Sequence, residues 1–424
     1  MRLNNRWFQM AAVLIAMIMI ANLQYGWTLF VRPIEHDHGW SLAKVQWAFT
    51  LFILFQTWVQ PLDGWLIDRL GPRIFFTIGA ILSGLGWTAL AFVTSLTQLY
   101  AAYAVAGVGS ALVYSGSIGS VLKWFRDRRG LAAGVIAGGY GAGAALFIPI
   151  IARLITASGY RAAFVWTGIV PGLIVLAIAQ VVRNPPAEDM DMTQTNPAAR
   201  TSTAPERRNR VRRNREHFRT DEMLRTPQFY LLFVMLVLMA TGGLLVTAQA
   251  GPVAASFGLP LAALTMATAL SPLANGGSRL FWGWVSDHLG REHTMAVAFS
   301  LNALALLSVI TVGRLSGVLF SVTLVLTYFT WGETFALFPS TLGDWFGTRH
   351  ATSNYAFLYT AKGVASILGG GVAALMYQHF GSWSSAFYGS AAFALTAGLL
   401  ALVLRAVPLP RKTPTALTPA PASS

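Results

Sequence analysis

Ser271–Arg291 reads SPLANGGSRLFWGWVSDHLGR. The stretch closes a long apolar segment and carries Arg279 inside it, then ends in the tight charged turn of Gly283, Asp287, Gly290 and Arg291. A guanidinium keeps its proton in a protein. Placing one in a bilayer costs at least about 2.5–3.5 kcal/mol on insertion scales, so an arginine at such a position marks a functional site by default. The competing reading is a side chain that snorkels to the near interface or pairs with a carboxylate for packing alone.

The rest of the chain agrees with a membrane setting. Of its 424 residues, 55% are hydrophobic and only 11% are charged, whereas a soluble domain carries about 25% charged residues. Cysteine is absent, which excludes disulfides, thiolate metal sites and cysteine nucleophiles. The net charge of +14 invites a nucleic-acid reading. The basic residues fall between apolar runs, however, so they are better read as loop charge facing anionic lipid. Arg2 and Arg6 precede an apolar run over 7–30 that is too long for a signal-peptide core, and it is read as a retained first helix.

Apolar segments fall at 7–30, 42–62, 74–95, 97–122, 131–155 and 162–182, and again at 228–250, 261–285, 294–313, 316–339, 351–376 and 384–405. The expected fold class is therefore an all-α membrane protein of twelve transmembrane helices in two halves, 1–182 and 228–406. Between them, 183–227 contains ERRNRVRRNREHFR, which cannot bury a core and is expected to be a flexible linker on lipid headgroups. Residues 407–424 are expected to form a disordered tail. Alternate loops hold Arg69 and Arg73, Lys123 to Arg129, the linker, Arg291 and Arg349, so these loops and both termini are expected in the cytoplasm.

The halves repeat. GWLIDRLGPR begins at Gly64 and GWVSDHLGRE at Gly283, while Trp124-Phe125 and Trp345-Phe346 recur at nearly the same offset. Internal repeats of this kind mark transporters built from two related halves, with the binding site between them near the bilayer midplane.

Gly64, Asp68, Arg69, Gly71 and Arg73 resemble the loop signature of the major facilitator superfamily, and Gly283, Asp287, Gly290 and Arg291 repeat it in weaker form. The resemblance implies a cytoplasmic gate formed by Asp68, Arg69, Arg73, Asp287 and Arg291. More narrowly, NNRWF, NLQYGWTLF, LRTPQFY, NGGSRLFWGWVSD, FTWGETFALFPS and AKGVASILGGG resemble the oxalate:formate antiporter group nearly end to end. That resemblance implies that Arg279 and Lys362 bind substrate carboxylates and that Gln24, Tyr25, Gln46 and Trp331 complete the pocket. This chain has Phe335 and Tyr359 where the group has tyrosine and tryptophan, and Glu333 where it has a small residue.

The residues support the same reading on their own. Lys362 lies midway along an apolar segment, too deep to snorkel easily. Two cations in one half would repel each other unless they share an anion in a watery cavity. Arginine offers a planar fork that matches a carboxylate, and lysine a compact point charge. Glu333 lies about 200° around the helix from Trp331, so it is expected to face away from the cavity if Trp331 lines it, as a proton-coupling carboxylate or a packing group. Tyr114 and Tyr140 are weighed equally between cavity and packing. The glycine runs 134–143 and 363–371 fit helix packing better than a phosphate loop. The histidines show no metal-ligand spacing.

The expected function is secondary active transport of small carboxylate anions by alternating access, as oxalate:formate-type exchange, with no cofactor, no metal, no nucleic acid and no enzymatic activity. Proton-coupled symport of lactate or pyruvate is the alternative within that class, and an anion channel the alternative outside it. The resemblance implies a monomer in a bacterial inner membrane, with lipid as its other partner.

Overall fold

The structure is a computed structural model that describes residues 5–125, 129–185, 212–214, 216–347 and 349–412, the side chains of Gly64, Trp65, Asp68, Arg69, Arg129, Gly130, Leu131 and Ala133 excepted. The described residues are almost wholly helical. The first half holds α1 (Arg6–Tyr25), α2 (Val31–His38), α3 (Leu42–Trp58), α4 (Gln60–Ala89), α5 (Leu96–Trp124) and α6 (Arg129–Val181). A short α7 (Thr220–Met223) leads into α8 (Pro227–Ser256), α9 (Leu261–Leu289), α10 (Arg291–Thr311) and α11 (Gly317–Phe329). The chain ends with α12 (Thr334–Phe346), α13 (Ala351–Ser366), α14 (Ala373–Phe380) and α15 (Ser384–Ala406).

Among the described residues, ten helices are long and apolar enough to cross a membrane. Helix α9 is absent from that set because Ser271, Asn275, Ser278, Arg279, Asp287 and His288 lower its hydropathy, although 29 residues give it ample length. Helix α6, at 53 residues, would run about 80 Å if straight, against a hydrocarbon core of about 30 Å. It breaks at Gly159 (φ 82°, ψ 164°), a conformation that is essentially glycine-only. Before the break Gly139 faces Leu14, Gly143 faces Ile18 and Ala21, and Gly26 faces Ile151, so this limb runs parallel to α1. After it, Asn22 Nδ2 donates to Thr167 O (3.1 Å) and Gln9 Nε2 to Val181 O (2.9 Å), so the chain has turned back.

The sequence repeat is visible in the backbone. Gly71 (φ 73°, ψ 161°) breaks α4, and Gly290 (φ 90°, ψ 155°) separates α9 from α10. Both occupy the same strained region at corresponding points of the two motifs.

The halves meet face to face. At the end of the bundle reached by Tyr25 they are joined tightly. Thr28 Oγ1 accepts from Gly251 N (2.6 Å) and Thr50 Oγ1 from Gly371 N (3.1 Å), while Gln46 Nε2 donates to Gln249 Oε1 (2.9 Å). At the opposite end, the described residues of the expected linker from 212 onward are packed down on the second half. Asn214 N donates to Asp344 O (2.7 Å) and Phe218 N to Phe346 O (2.8 Å), with the Phe218 ring buried edge-on to Phe346. Tail residues to 412 interleave with it: Arg212 donates to Val407 O (2.9 Å), and Lys412 pairs with Glu222 (2.8 Å). The Lys412 ammonium, followed by the Arg219 N–H, holds the Glu222 carboxyl below the usual carboxylate range. The composition of 183–227 and 407–424 hid this docking because one aromatic, Phe218, anchors it. The remainder, 186–211 and 413–424, lies outside the described residues.

Close helix approach in the first half depends on glycine. A Cβ on Gly109 would lie 2.2 Å from Ser83 N, forcing α4 and α5 apart. Gly109→Ala is expected to cost about 1–3 kcal/mol, seen as a lower midpoint in thermal melts in detergent. Gly119→Ala, whose Cβ meets nothing within 4 Å, should leave the midpoint unchanged.

Candidate functional site

Lys362 is buried at the meeting of the halves, on α13, which packs against α3 and α8. Its Nζ donates to Gln24 Oε1 (2.9 Å), Gln56 Oε1 (3.0 Å) and Tyr359 OH (3.2 Å). Two of these acceptors belong to the first half. The network closes on itself, since Gln56 Nε2 donates to Tyr140 OH (2.8 Å) and Tyr140 OH to Gln24 Oε1 (3.0 Å). Among the described residues no carboxylate pairs with Lys362. Neutral oxygens alone satisfy the ammonium, an arrangement that an incoming anion can replace without a competing acid.

Arg279 reaches into the first half from α9. Its Nη1 donates to Ala137 O (2.8 Å) and its Nη2 to Asn275 Oδ1 (3.0 Å). Gly141 makes room for the pair: a Cβ there would lie 2.9 Å from Asn275 Oδ1 and 3.3 Å from Arg279 Nη2. The Phe335 ring is shared, with Arg279 Cζ 5.0 Å and Lys362 Nζ 5.8 Å from its centroid. The two charges are therefore no more than about 11 Å apart. At an effective dielectric of about 20 their repulsion is about 1.5 kcal/mol or more, and the ring's negative face offsets part of it.

An aromatic wall surrounds the cations. Tyr25 lies near Tyr140 and Tyr328 (5.8 and 6.4 Å between centroids), and Tyr114 stacks on Tyr359 (6.0 Å). The Trp331 indole lies flat against Gly243, where a Cβ would come within 2.0 Å of the ring, and meets Phe335 edge-on at 5.2 Å. Four buried donor groups around this wall have no partner among the described residues: Arg279 Nε, Trp331 Nε1, Gln24 Nε2 and Asn275 Nδ2. A pocket with two cations and spare donors is chemically suited to an anion with several acceptor oxygens.

The structure brings Arg279, Lys362, Gln24, Tyr25, Trp331, Phe335 and Tyr359 together. It places Gln46 elsewhere. That amide accepts from Trp27 Nε1 (3.0 Å) and donates to Ala248 O (2.7 Å) and Gln249 Oε1 (2.9 Å), so it joins the seam between halves at the Tyr25 end. Glu333 sits at the interruption between α11 and α12, fully buried, with neither carboxyl oxygen hydrogen-bonded among the described residues. Among the described residues no hydrogen bond or ion pair joins it to Arg279 or Lys362. Gln56 and Asn275 were not singled out from sequence. The available signal for Gln56 was an amide deep in an apolar run, the same signal that Gln46 carries.

At the opposite end, Arg291 Nε bonds Asp344 Oδ2 (3.0 Å) and Nη1 pairs with Asp287 (2.9 Å). Arg213 of the linker also reaches Asp344 (3.2 Å). This ion cluster ties the linker to the second half, and Asp344 is its centre. Arg73 donates to Gln180 Oε1 (2.7 Å) within the first half. The side chains of Asp68 and Arg69 lie outside the described residues.

Comparison with known proteins agrees with this architecture. The sequence model of the Major Facilitator Superfamily matches residues 12–342 and 230–424. The chain belongs to the Major Facilitator Superfamily. It is 40% identical over 385 residues to the oxalate:formate antiporter of Oxalobacter formigenes, covering 91% of this chain and 88% of that protein. It is 25% identical over 364 residues to the uncharacterized MFS-type transporter YhjX of Escherichia coli (strain K12), covering 85% and 86%. Human monocarboxylate transporter 11 is 26% identical over 255 residues, covering 58% of this chain and 49% of that relative. With its many apolar helices, the chain is a multi-pass membrane protein of a transporter family.

Gln56→Leu removes one of three acceptors from a buried ammonium. A buried donor left short of a partner costs about 1–3 kcal/mol, so the variant should melt earlier than the wild type in detergent. Gln60→Leu, which lacks the contact with Lys362, is the comparison.

Proposed function

We propose that the chain is a secondary active transporter that exchanges small carboxylates across a membrane, in the manner of oxalate:formate exchange. The observation that carries this reading is the approach of Arg279 and Lys362 to one ring, Phe335, while their neutral partners Gln24, Gln56 and Ala137 O come from the other half. A short dicarboxylate can bridge two cations no more than about 11 Å apart, with the guanidinium taking one carboxylate bidentately and the ammonium the other. The relative named as an oxalate:formate antiporter supports the same substrate class.

In this reading the protein has twelve crossings, with Gly159 dividing α6 into two and α9 counted as one. Residues 1–182 and 228–406 are the rocking halves. Rocking would exchange the seam of Thr28, Gln46 and Thr50 for contacts at the other end. The basic loops support a cytoplasmic side for the Arg6 end, the linker and both termini, and in this reading the membrane is a bacterial inner membrane and the seam faces outward. The basic linker rests on anionic headgroups. The protein acts as a monomer and performs no enzymatic conversion, and needs no cofactor, metal or nucleic acid.

A second reading, proton-coupled monocarboxylate symport, is favoured by the buried Glu333 and by relatives named monocarboxylate transporters. A single carboxylate leaves one cation unbalanced, and a proton-linked acid would then adjust the charge.

Radiolabelled counterflow in proteoliposomes separates these readings. Oxalate should exchange with formate in the wild type. Arg279→Ala and Lys362→Ala should each lose about 10–100-fold in uptake, the equivalent of a charge-assisted contact worth about 1.5–3 kcal/mol. Movement of lactate or pyruvate alone, abolished by Glu333→Gln, would replace exchange with symport. Normal transport by Arg279→Ala would refute the site.

A further inference from the structure

The outer face of the second half carries a groove between α10 and α15. The two helices run antiparallel and approach closely at Gly398, where a Cβ would lie 3.2 Å from Ser300 Oγ and 3.3 Å from Ala296 O. Nearer the linker end, Arg405 Nη1 donates to His293 Nε2 (2.8 Å). In the other direction the helices leave an apolar cavity of about 350 Å³ between them, lined by Ala303, Leu304, Leu307, Tyr388, Ala392 and Leu395. The alanine side chains are too short to fill it, and Leu304, Tyr388 and Leu395 are exposed around it. The walls of an unfilled gap forfeit their dispersion contacts. In a bilayer the material at hand to fill it is an acyl chain.

The linker end of the same groove is basic. Arg212 Nη1 donates to Arg405 O (2.7 Å) and its Nη2 to Val407 O (2.9 Å), which brings a second guanidinium to the end of α15. Among the described residues no Asp or Glu forms an ion pair with Arg212, His293 or Arg405. Asp344, the acid of the adjoining cluster, is taken by Arg291 and Arg213. A guanidinium has five N–H donors, of which Arg212 uses two and Arg405 one in these contacts. Both therefore keep donors for an anion. From His293 to Leu304, α10 rises about 16 Å, roughly half of a hydrocarbon core of about 30 Å. A phosphate held at the Arg405 end thus sends an acyl chain of its own leaflet along the helices to the cavity.

We propose that the α10–α15 groove binds one anionic phospholipid, with the phosphate on Arg405 and Arg212 and one acyl chain in the cavity. Charge and shape each exclude a simpler occupant. Inorganic phosphate would meet the guanidiniums and leave the cavity unfilled. A lipid without net charge would fill the cavity and leave the basic end unbalanced. The bound lipid holds α10 against α15 and, through Arg212, steadies the docked end of the linker. The site is separate from Arg279 and Lys362, which lie on α9 and α13, so it stands whichever anion the transporter carries.

The test uses the full chain purified in detergent and titrated with phosphatidylglycerol, with phosphatidylcholine of the same acyl chains, or with inorganic phosphate. Native mass spectrometry counts retained lipid, and thermal melts report its effect on stability. The wild type should retain one phosphatidylglycerol, with a midpoint that rises at lower concentrations of this lipid than of phosphatidylcholine. Inorganic phosphate should leave the midpoint unchanged. Arg405→Gln should bind phosphatidylglycerol about fivefold more weakly, the effect of one basic residue at an anionic headgroup, and Arg405→Lys should bind as the wild type does. Ala392→Trp fills the cavity from an exposed position and should lose both lipids. Leu395→Trp is its second version, and melts without added lipid show which variants are folded. Equal affinity for the two lipids overturns the proposal, as does a midpoint shift by inorganic phosphate equal to that by phosphatidylglycerol. Unchanged retention in folded Arg405→Gln or in folded tryptophan variants also overturns it. A wild-type dimer that the tryptophan variants make monomeric would assign the groove to a second copy of the chain and overturn it too.

Discussion

The structure depends on how two basic side chains, Arg279 and Lys362, are kept inside a membrane protein with no acid paired to either among the described residues. A lone buried charge costs several kcal/mol after relaxation, and two of one sign add repulsion. Here the cost is met by neutral oxygens rather than counter-ions. Lys362 takes two amide oxygens and a phenol, Arg279 takes a backbone carbonyl and an amide, and Phe335 presents its ring to both. Such partners stabilise the empty site and leave its charge intact. A carboxylate partner would have held the cations more firmly and would have opposed any anionic substrate.

The same partners explain why the charges sit at the interface between halves. Gln24, Gln56 and Ala137 belong to residues 1–182, whereas Arg279 and Lys362 belong to 228–406. A rocking motion that separates the halves has to release these hydrogen bonds, and an anion that replaces them lowers the cost of doing so. The glycines at this interface serve the same geometry. Gly141 admits the Asn275–Arg279 pair, and Gly363 brings α13 against Thr57 and Trp58, where a Cβ would come within 2.5 Å of Thr57 Oγ1. Their value lies in close approach rather than in backbone freedom.

Much of this was legible in the sequence, for physical reasons that differ by residue. Arg279 and Lys362 stood out because a cation in an apolar run has no bland explanation at that depth. The paired motifs at Gly64 and Gly283 announced two halves, and Gly71 and Gly290 adopt matching backbone angles. What failed was partnership across long sequence separation. Gln46 and Gln56 are both amides in one apolar run, and nothing local tells which faces Lys362. Gln46 closes the seam and Gln56 holds the ammonium. Arg291 belongs to the cytoplasmic gate that the resemblance implies, and nothing local in the sequence marks Asp344 as the acid that accepts it. The linker was read from its charge, and the single ring of Phe218 docks its end.

Glu333 and Asp63 show how differently two buried acids can be built. Glu333 occupies the interruption between α11 and α12, with no hydrogen-bonded partner for either carboxyl oxygen among the described residues. Asp63 faces Ser115, a hydroxyl able to reverse its donor role, and lies on the polar face that ends at Lys362 through Gln56. A group that must alternate between ionised and neutral forms needs an environment tolerant of both, and Ser115 provides one. Of the two acids, Asp63 is therefore the one whose surroundings admit both forms, and it lies on a helix face that leads to Lys362 through Gln56.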